Sequence, residues 1–91
     1  MSRFEGQVVI VTGGALGIGG ATARKFAKEG AKVLIADFNE QAATKNVELI
    51  LSQGGIAAFS HNDVSKSEDV ERMVQEAIRQ FGGVDVLVQN A

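Results

Sequence analysis

The sequence predicts an α/β fold in which a parallel β-sheet is covered by helices on both faces. Short apolar runs alternate with segments of helical periodicity along the 91 residues. Two of the runs, residues 8–11 and 33–36, are apolar at consecutive positions, as in strands that are buried on both faces. Each interval between successive runs is long enough for a helical crossover and too long for a hairpin. The predicted order of elements is therefore β-α-β-α-β-α-β.

Four strands are predicted, at residues 7–12, 32–36, 56–60 and 84–88. Because strand-helix-strand units form right-handed crossovers, these strands are expected to build a doubly wound sheet with the strand order 3-2-1-4. Apolar residues recur at helical spacing in each interval between strands, and the third interval carries the longest stripe. In chain order these residues are Ala23, Phe26, Ala27 and Gly30; Ala43, Val47, Ile50 and Leu51; and Val70, Met73, Val74, Ala77, Ile78 and Phe81.

The residues that flank the predicted helices are typical of helix ends. Asn39 is a predicted N-cap for the second helix, and Ser65 with Glu68 forms a predicted capping box for the third. Glycines stand where the C-terminal ends of the three helices require a residue with a left-handed conformation. These glycines are Gly30, Gly54 and Gly82.

Composition excludes several classes of function. The formal net charge is −2 and the nine basic residues form no run longer than the pair Arg24 and Lys25, so the chain has no basic patch for nucleic acid. There is no cysteine, which excludes disulfides, thiolate metal sites and a catalytic thiol. The N-terminus lacks the apolar core of a signal peptide, and no apolar run approaches the length of a membrane span. We therefore expect a cytoplasmic protein with no membrane partner.

The segment from Thr12 to Gly19 joins the first strand to the first helix and predicts phosphate binding. Gly13 and Gly17 suit a sharp turn that needs positive φ, and Gly19 would allow the helix to pack closely on the sheet. The backbone N–H groups of residues 15–18 would face phosphates at the positive end of the helix dipole. The alternative interpretation is a glycine-rich turn without a ligand. A Walker-type loop is excluded, since no glycine here is followed by lysine.

This segment resembles one family closely, the short-chain dehydrogenases/reductases, whose motif after the first strand is T-G-x-x-x-G-x-G. Further motifs of that family follow in the same order. The resemblance runs from about Gly6 to the end and implies a Rossmann-type sheet that is truncated after the fourth strand. Residues 1–91 would then be the N-terminal part of a single NAD(P)-binding domain. The matching residues are Thr12, Gly13, Gly17, Ile18 and Gly19; Asp37; Asp63 and Val64; and Asn90 and Ala91.

The resemblance implies a dinucleotide cofactor, and two residues favour NAD over NADP. A carboxylate at Asp37 can accept hydrogen bonds from both ribose hydroxyls of the adenosine half. A 2′-phosphate there would place like charges about 4 Å apart, at a cost of roughly 4 kcal/mol at an effective dielectric constant of 20. Leu16 stands where members that prefer NADP often carry a basic residue. The alternative for Asp37 is a solvated residue that opens the next turn together with Asn39.

Other cofactor contacts are implied by the resemblance alone. Asp63 would accept from the adenine amino group and Val64 would pack on the adenine ring, although both could belong simply to the loop before the third helix. Asn90 would lie along the adenosine ribose, and Gln89 departs from the asparagine of the family at that position. The full predicted cofactor set is Gly13, Ala15, Leu16, Gly17, Ile18, Gly19, Asp37, Asp63, Val64, Asn90 and Ala91.

The chemistry that the resemblance implies is hydride transfer between NAD(H) and a secondary alcohol or ketone. In the family, a tyrosine acts as general acid/base, a lysine lowers its pKa and a serine orients the substrate. These residues follow the last motif, and this chain contains no tyrosine. We therefore assign no catalytic residue and expect the isolated chain to be inactive. The single histidine, His61, is expected to be a partly exposed loop residue. The parent protein is expected to form a homo-oligomer, either a tetramer or a dimer.

Three functions remain as alternatives. The chain is the NAD-binding portion of an oxidoreductase, a free-standing nucleotide-binding module without activity, or part of a methyltransferase. The spacing of the glycine turn disfavours the methyltransferase, although Asp37 would suit one. The oxidoreductase is favoured over the module because an apolar fourth strand at residues 84–88 would make an unprotected sheet edge.

Overall fold

The computed structural model describes residues 4–63 and 66–90, and along them strands alternate with helices. In chain order, the elements are β1 (Val8–Thr12), α1 (Gly17–Lys28), β2 (Lys32–Asp37), α2 (Glu40–Ser52), β3 (Ile56–His61), α3 (Ser67–Phe81) and β4 (Val86–Val88). No helix among the described residues is both long enough and apolar enough to cross a membrane.

The strands form one parallel sheet in the order β3-β2-β1-β4, which confirms the predicted topology. Because all strands run the same way, their carboxyl ends meet at one edge, where Thr12 pairs with Ala36 and Asp37 pairs with His61. The second and third strands each extend one residue further than predicted. β4 begins two residues later than predicted, since Asp85 occupies the end of the ladder with its carboxylate, which accepts the Val8 N–H at 2.8 Å.

The sheet carries a separate apolar core on each face, which explains the consecutive apolar residues of β1 and β2. Successive residues of a strand point to opposite faces, so both sets are buried when both faces are covered. Helices α1 and α2 cover one face, and α3 covers the other. The first core contains Val9, Val11, Val33, Ile35, Ala23, Ala27, Ala43 and Ile50 among others, and the second contains Val8, Ile10, Leu34, Ala36, Met73 and Ala77.

Most predicted helix ends are confirmed. The Asn39 side chain accepts the Ala42 N–H at 3.1 Å and caps α2. The glycines after the three helices have φ angles of 94°, 85° and 90°, as expected of left-handed residues. They are Gly30, Gly54 and Gly82.

The predicted capping box of α3 stays a prediction, although the N-cap lies one residue later than predicted. The N-cap is Lys66, which makes no side-chain capping bond, and Ser65 lies outside the described residues. The loop before α3 is held from within the helix, by Asp69. Its carboxylate accepts the Asp63 N–H at 2.6 Å, and its carbonyl accepts the Asn62 side-chain amide at 3.0 Å. These bonds tie the described end of the loop, Asn62 and Asp63, to the first turn of α3.

Candidate functional site

The candidate site lies at the carboxyl edge of the sheet, where the glycine turn joins β1 to α1. Gly13 and Gly17 have φ angles of 64° and 59°, in the left-handed region that side chains with a Cβ rarely adopt. The turn therefore has the backbone conformation that the glycine spacing indicates.

The glycine turn packs directly against the turn that follows β4. A Cβ added at Gly13 would lie 2.1 Å from the Asn90 carbonyl oxygen. A Cβ added at Gly19 would lie 1.9 Å from the Gly13 carbonyl oxygen and 2.4 Å from the Asn90 side-chain nitrogen. Gly19 thus makes room for the preceding turn and for Asn90, whereas the sequence suggested a contact with the sheet. The structure brings three of the predicted residues together here.

Thr12 ties the end of β1 to the same turn. Its hydroxyl donates to the Val88 carbonyl at 3.3 Å and accepts the Asn90 N–H at 2.9 Å. The residue is almost fully buried, so the hydroxyl is satisfied entirely by these partners. Sequence reasoning used Thr12 as part of a motif and missed this role, for which the only signal was a hydroxyl at the end of an apolar run.

The carboxylate of Asp37 connects the glycine turn to the end of β2. One oxygen accepts the Ala15 N–H at 3.1 Å and the other accepts the Asn39 N–H at 2.8 Å. The Ala15 N–H is therefore committed to Asp37, and is not directed at a phosphate as expected from the sequence. The bond to Asn39 matches the alternative in which Asp37 opens the next turn. An ionised carboxylate has about four acceptor positions, so both oxygens can still accept from a bound hydroxyl.

The N-terminus of α1 lacks a side-chain cap. Its N-cap residue is Leu16, which has no side-chain acceptor, and its first turn contains no acidic residue. The first N–H groups of a helix have no partner within the helix, and they carry the positive end of its dipole. The neighbouring helix α2 differs, because Asn39 caps it and Glu40 lies in its first turn. Of these two helix ends, the α1 terminus is the one that is open to an anion.

Large apolar side chains are exposed at this open terminus and directly after β2. Leu16 is 64%, Ile18 is 80% and Phe38 is 69% exposed, so all three present apolar surface to solvent. The Phe38 ring lies 5.3 Å from the ring of His61, measured between centroids. His61 is exposed, as expected, but it is the last residue of β3 and not part of a loop. Sequence reasoning missed Phe38, although an aromatic residue directly after Asp37 was a usable signal.

The remaining predicted site residues follow β3. The Asn62 N–H donates to the Asp37 carbonyl at 3.1 Å, which brings the loop after β3 beside the end of β2. Asp63 is half-buried there, with its N–H bonded to Asp69. Val64 and Ala91 lie outside the described residues.

Comparison with known proteins finds similarity over nearly the whole chain. The family model described as short chain dehydrogenase matches residues 7–91. A protein of Thermotoga maritima, named as an uncharacterized oxidoreductase, is 48% identical over 98% of this chain and 35% of its own length. Glucose 1-dehydrogenase of Gluconobacter oxydans is 44% identical over 98% of this chain and 34% of its own length.

Solved structures are similar in the same region. The crystal structure of hydroxysteroid dehydrogenase from Escherichia coli matches with a TM-score of 0.95 and 37% identity, over 98% of this chain and 38% of that one. The chain therefore spans about a third of the length of the relatives that it matches.

Proposed function

The chain belongs to the short-chain dehydrogenase family, and from this we propose that it is the NAD-binding portion of an oxidoreductase. Residues 1–91 would form the N-terminal part of a single NAD(P)-binding domain. The proposed reaction is hydride transfer between NAD(H) and a secondary alcohol or ketone. Support comes from relatives that are named as dehydrogenases or oxidoreductases and that match nearly the whole chain.

One observation carries the proposal, namely the uncapped N-terminus of α1 beside a fixed carboxylate. The α1 terminus offers unpartnered N–H groups and a positive dipole end to a diphosphate. Asp37 belongs to the next strand and is bonded to the same turn at Ala15, so its carboxylate stands beside the phosphate position. A diphosphate joined to a ribose fits both groups at once.

The Asp37 contacts also support a preference for NAD over NADP. Hydrogen bonds from Ala15 and Asn39 hold the two carboxylate oxygens, so the side chain cannot rotate away from an incoming phosphate without breaking them. A 2′-phosphate about 4 Å from this carboxylate would be repelled by roughly 4 kcal/mol at an effective dielectric constant of 20. The repulsion is smaller where water screens the pair. Leu16 at the helix entry supplies no compensating positive charge.

The other proposed contacts complete the adenosine half of the site. Asn90 would lie along the ribose, where its side chain already contacts Gly19. Asp63 and Val64 would bind the adenine, and Ala91 would belong to the turn after β4. Leu16 and Ile18 would shield the diphosphate with their exposed apolar side chains. These roles, like the cytoplasmic location and the homo-oligomeric parent, remain predictions.

The residues of this chain hold the cofactor, and none is assigned to proton transfer. The free-standing module is not favoured, because the named relatives are oxidoreductases in which this region is about a third of the protein. The small-molecule substrate would be an alcohol or ketone, contacted by residues of the parent protein outside this chain.

Calorimetric titration tests the proposal in the longest polypeptide that the gene encodes. Separate titrations with NAD, NADP and S-adenosylmethionine are expected to give the lowest Kd for NAD. Tighter binding of NADP would overturn the cofactor preference and leave the family function intact. Binding of S-adenosylmethionine without binding of either dinucleotide would overturn the oxidoreductase proposal itself.

A further inference from the structure

Asn46 lies on the buried face of α2 and contacts the glycine turn through its side-chain amide. It is 3% exposed, and the other buried residues of that helix face are the apolar Ala43 and Ile50. The amide nitrogen donates to the Gly14 carbonyl at 2.8 Å and to the Gly20 carbonyl at 3.2 Å. A buried amide in an apolar stripe is unfavourable unless it is hydrogen-bonded, so these two carbonyls account for its presence.

The two carbonyls flank the segment that is proposed to bind phosphate. Gly14 precedes the segment, and Gly20 lies in the first turn of α1 that follows it. The Asn46 side-chain nitrogen donates to both carbonyls. A residue of α2 therefore fixes the distance between the two ends of the segment. Gly14 is also pressed on the sheet, since an added Cβ would lie 2.9 Å from the Val11 carbonyl oxygen. The turn is therefore in contact with the end of β1 and is hydrogen-bonded to Asn46 of α2.

Arg24 sets the orientation of this amide. Its guanidinium donates to the Asn46 side-chain oxygen at 2.9 Å. A flipped amide would direct its oxygen at the two carbonyls and its N–H groups at the guanidinium, so both sides of the contact would become repulsive. Arg24 lies in α1, so the network joins α1, α2 and the turn between β1 and α1.

We propose that Asn46 is a positioning residue for dinucleotide binding, which holds the glycine turn so that the N-terminus of α1 meets the diphosphate. The inference rests on the proposed function and adds to it a residue from outside the glycine motif. Asn46 acts through the turn and makes no contact with the cofactor itself.

Two variants remove this contact in different ways. Asn46→Asp keeps an oxygen for Arg24 and replaces the donor with a second oxygen that faces the Gly14 and Gly20 carbonyls. Asn46→Leu has a similar size and removes all three hydrogen bonds. Ile50→Val is the matched control, because Ile50 is buried on the same face of α2 and lies beside Gly55, which is outside the glycine turn.

The test compares ADP with adenosine as competitors for NADH in the longest polypeptide that the gene encodes. Both Asn46 variants are expected to lower the affinity for ADP by about tenfold, the factor that corresponds to the loss of a buried hydrogen bond. The affinity for adenosine is expected to change by less than about twofold. Ile50→Val is expected to leave both ligands unchanged. Equal losses for ADP and adenosine, or unchanged binding of ADP, would overturn the role of Asn46.

Hydrogen exchange of the ligand-free protein provides a readout that is independent of the cofactor. The Asn46 variants are expected to accelerate exchange in residues 14–20 relative to β1 and β2, whereas Ile50→Val is not. If the unchanged protein binds no dinucleotide, the proposed function fails, and the exchange rates alone decide whether Asn46 holds the turn. Unchanged exchange in residues 14–20 of both variants would refute the positioning role.

Discussion

Replacement of Gly19 by alanine probes the contact between the glycine turn and the turn after β4. The added Cβ would lie 1.9 Å from the Gly13 carbonyl oxygen and 2.4 Å from the Asn90 side-chain nitrogen, whereas real Cβ contacts are essentially never shorter than 3.0 Å. The Asn90 side chain can rotate away, but the Gly13 carbonyl is backbone. The turn must therefore move by about 1 Å, since overlap of this kind cannot be relieved by side chains alone.

The size of the effect follows from two opposing terms. Overpacking of this kind costs about 1–3 kcal/mol of the free energy of unfolding. Alanine in place of glycine within a helix raises the free energy of unfolding by about 1 kcal/mol. We expect a net loss of up to about 2 kcal/mol in the free energy of unfolding. Affinity for ADP should fall by at least about tenfold, because the N–H groups of α1 no longer meet the diphosphate in the same geometry.

Urea unfolding and calorimetric titration with ADP measure the two effects, with Gly83→Ala as the control. Gly83 has a φ outside the left-handed region, and no neighbouring atom lies within 4 Å of an added Cβ. The control is therefore expected to keep its affinity and to gain up to about 1 kcal/mol in stability. If Gly19→Ala matches the unchanged protein in both measurements, the close approach of Gly13 and Asn90 does not constrain the site.

Three further variants test separate contacts. Asp37→Ser is expected to raise the affinity for NADP relative to NAD by at least about tenfold, because the like charge is removed; an unchanged ratio in competition titrations would contradict the role of Asp37. Asn39→Ala removes the side-chain acceptor of the Ala42 N–H and should lower the free energy of unfolding by about 1 kcal/mol in urea, whereas an unaltered midpoint would show that the cap contributes nothing. Asp85→Ala leaves the Val8 N–H without its acceptor and should cost about 1–3 kcal/mol of stability with little change in the Kd for ADP; a large loss of ADP affinity would mean that this end of the sheet is coupled to the site.

Local patterns were sufficient to predict the architecture. The consecutive apolar residues of β1 and β2 indicate burial on both faces, and the structure places a core on each. The spacing of strands allowed only helical crossovers, from which the strand order 3-2-1-4 follows. The Asn39 cap was also predictable, because donor and acceptor lie three residues apart.

Contacts between distant residues were not predictable. The Ala15 N–H bonds Asp37, which lies 22 residues further along the chain, and Thr12 bonds Asn90 across 78 residues. Asn46 was missed for the same reason. Its hydrogen-bond partners, the carbonyls of Gly14 and Gly20, lie more than 20 residues earlier in the chain. The bonds from Asn62 and Asp63 to Asp69 were missed as well, since no local pattern pairs a loop with the first turn of the helix that follows it.

The hydroxyl bond between Thr12 and Asn90 has a consequence for the order of folding. Sequence separation of 78 residues makes this one of the slowest contacts to form by chain diffusion. During synthesis from the N-terminus, β1, α1 and β2 can associate long before Asn90 leaves the ribosome. The glycine turn is then formed early but lacks one wall, since Asn90 packs against Gly13 and Gly19. The proposed dinucleotide site is therefore complete only after β4 has docked, so we expect the dinucleotide to bind at a late stage of folding and not to the nascent βαβ unit.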